Sequence, residues 1–151
     1  MEQLEEGKIY RFYVEKLLSL PDANYYILID DWNRKYLLTA EYYSDYSIKL
    51  NNYINCYVNK INCNGKIFLE PLHPIYKIGE EDYFEIYQIE KRIKQKSKEP
   101  YYVALAKNSK TIKAAVLNYT DINHNHFPVF AKCKVIKFKK GEVLLQYIEN
   151  K

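Results

Sequence analysis

The chain has 151 residues, of which 48% are hydrophobic and 28% charged, with a formal net charge of +4. This composition is typical of a globular protein and excludes a disordered chain. No apolar stretch approaches bilayer-spanning length, and the acidic start lacks the apolar region of a secretory signal, so the cytoplasm is the expected location. Residues 1–79 hold 9 Lys/Arg and 10 Asp/Glu, a net −1, whereas residues 80–151 hold 14 and 9, a net +5.

Five strands are predicted in the first half of the chain, because short alternating or apolar runs are separated by turn residues. They are expected at 8–18, at 25–31, at 35–40, around Cys56, and around Ile67 and Leu69. Residues 41–52 lack the alternation and predict a short helical turn, with Ser44 or Asp45 as its cap. Asn64-Gly65 predicts a two-residue type I′ turn, in which both central residues have positive φ.

The second half repeats this order at an offset of about 76 residues, which indicates a duplication. The matched pairs are Val14-Glu15-Lys16 with Ile89-Glu90-Lys91, Tyr25–Ile29 with Tyr101–Leu105, Tyr43-Ser44-Asp45 with Tyr119-Thr120-Asp121, Cys56-x-Val58-x-Lys60 with Cys133-x-Val135-x-Lys137, and Gly65-x-Ile67-x-Leu69 with Gly141-x-Val143-x-Leu145. The second set of strands is predicted at 83–94, 100–107, 110–117, 129–138 and 142–149, with 118–128 in the place of the short helix. The sequence therefore predicts two domains, 1–78 and 79–151.

Three strands, a short helical connection and two further strands are the order of a five-stranded OB-fold barrel. Within that fold the first copy resembles the S1-type RNA-binding domain family. The matching segments are Gly7–Val14 for the opening G-x-V-x-x-G-x-V, with Phe12 in place of the second glycine, Asn24–Ile29 for G-A-F-V-x-L, Leu37–Glu41 for the third strand, without its histidine, and Ile54–Ile61 with Gly65–Leu69 for the closing hairpin. The resemblance implies an all-β fold of two tandem five-stranded, S1-like OB-fold barrels, each with a short helical turn between strands 3 and 4.

Domains of this kind stack bases on aromatic rings and meet phosphates with Lys or Arg. The resemblance therefore implies non-catalytic binding of single-stranded nucleic acid, RNA ahead of DNA. The candidate residues are Arg11, Tyr13, Tyr26 and Thr39 in the first copy, and Tyr102, Lys107, Lys110 and Lys113 in the second. Two other interpretations stay open: a tyrosine-rich barrel with solvated lysines, and a protein-interaction adaptor or subunit of a larger complex.

The cysteine and histidine residues predict neither a metal site nor a catalytic pair. Cys56 alternates with apolar residues, and Cys133 takes the same place in the second copy, so both are expected in the core. Cys63 lies beside the predicted turn; with Cys56 and His73 it supplies only three candidate ligands, without a C-x-x-C pair. No phosphate-binding, dinucleotide-binding or hydrolase motif occurs. We therefore expect no enzyme activity, no metal and no cofactor.

Overall fold

The computed structural model describes residues 3–119 and 126–151. In these residues ten strands form two five-stranded sheets, and one 3-10 helix lies outside the sheets. This confirms the all-β fold class with five strands in each copy. The chain divides into one unit that ends at Pro74 and one that runs from Ile75 to Lys151, whereas the predicted boundary lies after residue 78. Tyr76 accounts for the earlier division, because its ring packs on Phe84 of the second unit at 5.8 Å between centroids.

Each unit contributes one sheet. The strands of the first unit are Ile9–Ser19 (β1), Asn24–Ile29 (β2), Lys35–Thr39 (β3), Tyr53–Ile61 (β4) and Ile67–Pro71 (β5). Those of the second unit are Glu81–Ile93 (β6), Pro100–Lys107 (β7), Ala114–Val116 (β8), Val129–Lys139 (β9) and Glu142–Asn150 (β10). The strand orders are β3-β2-β1-β4-β5 and, as a closed barrel, β10-β8-β7-β6-β9. Both follow the strand order of a five-stranded Greek-key barrel.

The register of the ladders shows which positions of the two copies are equivalent. Cys56 pairs with Tyr10, and Cys133 pairs with Asp82, so the first strands correspond at an offset of 72 residues rather than 75. Leu28 pairs with Val14 and Ala106 with Ile86, so the second strands correspond at an offset of 78 rather than 76. The six-residue difference lies in the hairpin between these two strands, which is longer in the second copy. The matched pairs on β4 and β5 keep their predicted offsets of 77 and 76.

Two irregularities of the first sheet recur in the second, which has a further one between Tyr147 and Glu149. The first strand has a bulge directly after Val14 in one copy and directly after Ile86 in the other. The fourth strand has one after Val58 and after Val135, and these two residues bond to the main chain that follows Gly7 and Gly79. Seven core positions correspond one to one: Phe12 with Phe84, Val14 with Ile86, Leu28 with Ala106, Leu38 with Val116, Cys56 with Cys133, Val58 with Val135, and Leu69 with Leu145. Shared bulges and a shared core support the duplication read from the sequence.

The two copies differ in closure. In the second, β8 pairs in parallel with β10, Ala114 opposite Val143, whereas in the first β3 and β5 form no ladder. The residues that point inward on β2 and β3 are large in the first copy and small in the second: Tyr26, Leu28 and Tyr36 correspond to Ala104, Ala106 and Ala114. The small side chains let β8 approach β10, and the rings of the first copy fill the same space.

The helical turn of the first copy lies between β3 and β4, as predicted, but it spans Ala40–Tyr43. Thr39 is at its N-terminus and makes no side-chain cap bond, and Ser44 lies at its C-terminal end, so neither predicted cap is correct. The helix is held by Tyr43, which is 3% exposed and donates a hydrogen bond to the buried Glu70 at 2.9 Å. No helix of the described residues is long and apolar enough to cross a membrane.

The counterpart predicted at 118–128 lies mostly outside the described residues, which omit 120–125. The described residues on either side of that gap are not helical.

The type I′ turn predicted at Asn64-Gly65 of the first copy does not form there, and a turn of this type occurs in the second copy instead. Gly65 has a φ of +83°, but Asn64 has no positive φ, and the amide of Gly65 donates to the carbonyl of Asn62. This is a three-residue loop with glycine in the left-handed position, so the predicted two-residue turn is wrong. In the second copy Lys140 and Gly141 have φ values of +51° and +78° between paired strands, as a type I′ turn requires.

A buried carboxylate organises the connection between β2 and β3. Oδ1 of Asp30 accepts hydrogen bonds from the amides of Trp32 and Arg34, both at 2.9 Å. Oδ2 accepts from Nε of Arg34 and from the hydroxyl of Tyr36, both at 2.8 Å. Burial alone would raise the pKa of Asp30, and these hydrogen bonds outweigh it and hold the pKa below its ordinary value.

Replacing Asp30 therefore tests the turn. We expect Asp30→Ala to lower the free energy of unfolding by about 2 kcal/mol, because buried donors lose their acceptor. Asp30→Asn keeps the oxygen for both amides and loses about 1 kcal/mol, since its amide group now faces Nε of Arg34. Urea unfolding of both variants measures the difference. Equal stability of the three proteins would contradict this role.

The same carboxylate affects Tyr36 at alkaline pH. Burial and the hydrogen bond to Asp30 raise the pKa of Tyr36 to about 12, above its ordinary value of 10.0. The stabilisation is complete below about pH 10 and is lost as the pH rises towards 12. We expect Tyr36 to titrate late in the ultraviolet tyrosinate titration, together with Tyr76, whose pKa burial also raises to about 12, and Asp30→Ala should move the Tyr36 part of that step to lower pH. An unshifted step would show that Asp30 does not set this pKa.

Candidate functional site

In the first unit, Arg11 and Tyr13 lie on the outer face of β1. The guanidinium of Arg11 stands 4.4 Å from the centroid of the Tyr53 ring and forms an exposed ion pair with Asp31 at 3.2 Å. Tyr13 packs edge-on against Tyr53 at 5.3 Å between centroids, and its hydroxyl donates to Asn51 at 3.0 Å. A cation and two rings thus share the face formed by β1 and β4.

Tyr26 and Thr39 do not join this group. Tyr26 is half-buried, pairs with Leu38 across the β2–β3 ladder, and packs against the core of the first unit. Thr39 pairs with Tyr25 at the end of β3. Tyr26 lies two residues before the buried Leu28 on β2, so both side chains point inward.

The aromatic and basic candidates of the second unit lie at opposite ends of β7. Tyr102 is exposed and pairs with Lys91. Lys107 is five residues further along, roughly 17 Å away, and an odd separation puts it on the opposite face of the strand. Tyr102 is not the counterpart of Tyr26 either, because the register gives that place to Ala104. The predicted patch of one ring and three lysines is therefore not assembled.

The three lysines do lie at the same end of the barrel, and each has a partner. Lys107 forms an ion pair with Glu85 at 3.5 Å, and its ammonium stands 4.9 Å from the centroid of the Tyr87 ring. Lys110 bonds to Asp82 at 3.0 Å. The ammonium of Lys113 donates to the carbonyl of Lys140 at 2.7 Å.

A cleft that sequence reasoning missed lies beside these lysines, between Tyr83 on β6 and Phe130 on β9. Its volume is about 190 Å³, and Glu85, Lys107 and Lys151 line it. The ammonium of Lys151 is 5.3 Å from the centroid of the Tyr83 ring, and its amide donates to the carbonyl of Phe130 at 2.8 Å. Tyr83 is 47% exposed and Phe130 51% exposed, so both rings are open to a planar ligand.

Phe130 occupies the same ladder position as Tyr53. Each lies three residues before the matched cysteine, Cys133 or Cys56, on the outer face of the fourth strand. Tyr53 is 57% exposed and Phe130 51% exposed. The sequence contains this signal, since counting back from the two cysteines finds both rings. Exposed rings at one duplicated position define the candidate functional face, on β1 and β4 in one copy and β6 and β9 in the other.

The outer face of β7, β8 and β10 is closed instead. Val103, Ala115 and Leu144 form a buried apolar cluster there. Arg92 on β6 donates two hydrogen bonds to the carboxylate of Glu142 on β10, at 2.7 and 2.8 Å. Arg92 pairs with Tyr101, which packs against the cluster, and Glu142 is two residues before Leu144, so the ion pair lies on the same face as the cluster. This is the face on which OB-fold domains generally hold their ligands.

Two of the three cysteines, Cys56 and Cys133, are core residues, as predicted. Burial raises the pKa of Cys56 and that of Cys133, so neither is poised as a thiolate. Cys63 is exposed on the hairpin loop. Burial lowers the pKa of His73, whose ring packs edge-on against Tyr46 at 5.6 Å. Among residues 3–119 and 126–151, no three His, Cys, Asp or Glu side chains are grouped as a metal would need.

The Arg92–Glu142 pair makes a stability prediction. We expect Arg92→Met to lower the free energy of unfolding by about 2 kcal/mol, because it leaves the largely buried carboxylate of Glu142 without its partner. Arg11→Met is the matched control: its pair with Asp31 is more than half exposed and should change stability by less than about 0.5 kcal/mol. Urea unfolding measures both, and equal losses would contradict the closure of this face.

The family models, the curated proteins and the solved structures with which the chain was compared contain no match to it.

Proposed function

We propose that the protein binds single-stranded nucleic acid, RNA ahead of DNA, without catalysing a reaction. One observation carries the proposal: Tyr53 and Phe130 occupy the same position in the two copies, and both are exposed. In each copy a cation stands over a ring of this face, Arg11 over Tyr53 and Lys151 over Tyr83. A duplicated exposed ring next to a positive charge suits a base and its phosphate. The S1-like pattern of the first copy supports RNA over DNA.

The candidate faces of the two units contribute different amounts of charge to the binding of nucleic acid. In the second unit three lysines, Lys107, Lys132 and Lys151, lie around the exposed rings, and two of them are paired with carboxylates. In the first unit Arg11 is the cation beside the rings, and it is paired with Asp31. Base stacking therefore supplies more of the affinity than phosphate contacts do. The second unit, whose half of the chain has a net charge of +5, is the stronger site.

Salt dependence follows from this count. Each phosphate contact to a single strand contributes about −0.7 to the slope of log K against log salt. Lys107 is held beside Glu85 in the cleft, so Lys132 and Lys151 are the expected phosphate contacts, and they predict a slope of roughly −1.4. Affinity should then fall about sevenfold between 50 and 200 mM salt.

The second candidate is a protein-interaction adaptor, and the open sheet of the first unit favours it. In the strand ladders of that unit β3 pairs with β2 and β5 pairs with β4, and each forms one edge of the sheet. An unpaired strand edge can accept an extended segment of another protein. Binding of that kind depends on main-chain hydrogen bonds and apolar contact, so it should be almost insensitive to salt.

Fluorescence anisotropy with labelled 12-mers of U and of dT tests the proposal. We expect Phe130→Leu to weaken binding about tenfold, because leucine keeps an apolar side chain but offers no ring to a base. Phe68→Leu is the matched control: its ring is 40% exposed and has a lysine at 5.0 Å, but it lies on β5, outside the candidate face.

Undetectable binding to both oligonucleotides at low salt would overturn the proposal. Equal losses from the two variants would show that the face is not the site.

A further inference from the structure

The cleft of the second unit contains a carboxylate and an ammonium set side by side. Glu85 pairs directly with Phe130 across the β6–β9 ladder and with Lys107 across the β6–β7 ladder. Directly paired residues share a face, so the three side chains lie next to one another on the outside of the barrel. Oε2 of Glu85 is 3.5 Å from Nζ of Lys107. Tyr83, two residues before Glu85, points the same way and supplies the second ring.

The hydrogen-bond acceptors of the carboxylate and the donors of the ammonium complement the edge of one of the four bases. A carboxylate only accepts hydrogen bonds, and an ammonium only donates them. Guanine offers two adjacent donors, N1–H and the N2 amino group, with the acceptor O6 beside N1. Uracil offers one donor between two acceptors, and adenine and cytosine each offer a single amino group beside an acceptor nitrogen. Only guanine can give a carboxylate two parallel hydrogen bonds and an ammonium a third.

We propose that the Tyr83–Phe130 cleft selects guanine within a single strand, with Glu85 on N1–H and N2–H and Lys107 on O6. The inference rests on the proposed function and names the base that this site reads. Glu85 is 28% exposed and Lys107 47% exposed, so both groups are partly desolvated and remain reachable. Single-stranded bases display this edge freely, and their unpaired edges are what sequence-specific RNA recognition reads.

A series of labelled 12-mers tests the inference. Each is poly-U with one central residue: guanosine, inosine, adenosine or uridine. We expect guanosine to raise affinity about tenfold over adenosine and uridine, and inosine, which lacks the N2 amino group, to lose most of that gain. This comparison alters only the ligand, so it does not depend on any variant folding.

Two protein variants complete the test. Glu85→Gln should remove the difference in affinity between the guanosine 12-mer and the uridine 12-mer. Glu81→Gln is the matched control, since Glu81 pairs with Lys132 at 3.3 Å and does not line the cleft, and it should keep the preference.

Equal affinity for all four 12-mers would overturn the guanine inference and leave nucleic-acid binding intact. A guanosine preference that survives in Glu85→Gln would also overturn it. No binding to any 12-mer would overturn both proposals.

Discussion

The bulge in the first strand of each copy is the constraint on which the rest of the structure depends. One extra residue after Val14 or Ile86 lets a single strand pair along its first part with the fourth strand and along its second part with the second strand. A straight strand could not turn from one half of the fold to the other. The same bulge decides which side chains face outward. Arg11, Tyr13 and Tyr83 precede it and reach the candidate face, whereas positions after it belong to a different part of the sheet.

The two copies share this strand arrangement and differ in the size of their inward side chains and in their charged pairs. Rings on β2 and β3 fill the first unit and leave it an open sheet, while alanines in the second unit let β8 close on β10. Closure is accompanied by the Arg92–Glu142 pair, which lies on the same outer face of the barrel as an apolar cluster. The connection between the second and third strands is organised by the buried carboxylate of Asp30 in the first copy and by the amide of Asn108, at the same offset of 78, in the second, where Oδ1 accepts from the amides of Lys110 and Thr111. Equivalent strands therefore present different surfaces, and the copies are not interchangeable as binding sites.

The candidate function depends on which outer face of each unit is exposed to a ligand. In the second unit the face generally used by OB-fold domains is occupied by the protein's own ion pair. The exposed rings lie on the neighbouring face, formed by β6 and β9, where Glu85 and Lys107 stand at the edge of a cleft. The corresponding face of the first unit has two rings and one arginine. Stacking is common to both faces, and the charged pair beside the rings is Arg11 with Asp31 in the first unit and Lys107 with Glu85 in the second.

The sequence by itself determined the all-β class, the five strands per copy, the duplication, and the burial of Cys56 and Cys133. These follow from alternation, turn residues and repeated motifs, which are local properties of the chain. Only the tertiary structure decided that Tyr26 packs into the core, that Tyr102 lies far from Lys107, and that Tyr83 and Phe130 form a cleft. The physical reason is that a strand alternates every residue, so one bulge or a short insertion moves a side chain to the opposite face. Offsets of 72 and 78, in place of the 75 and 76 read from the motifs, were enough to change the partners of the predicted site.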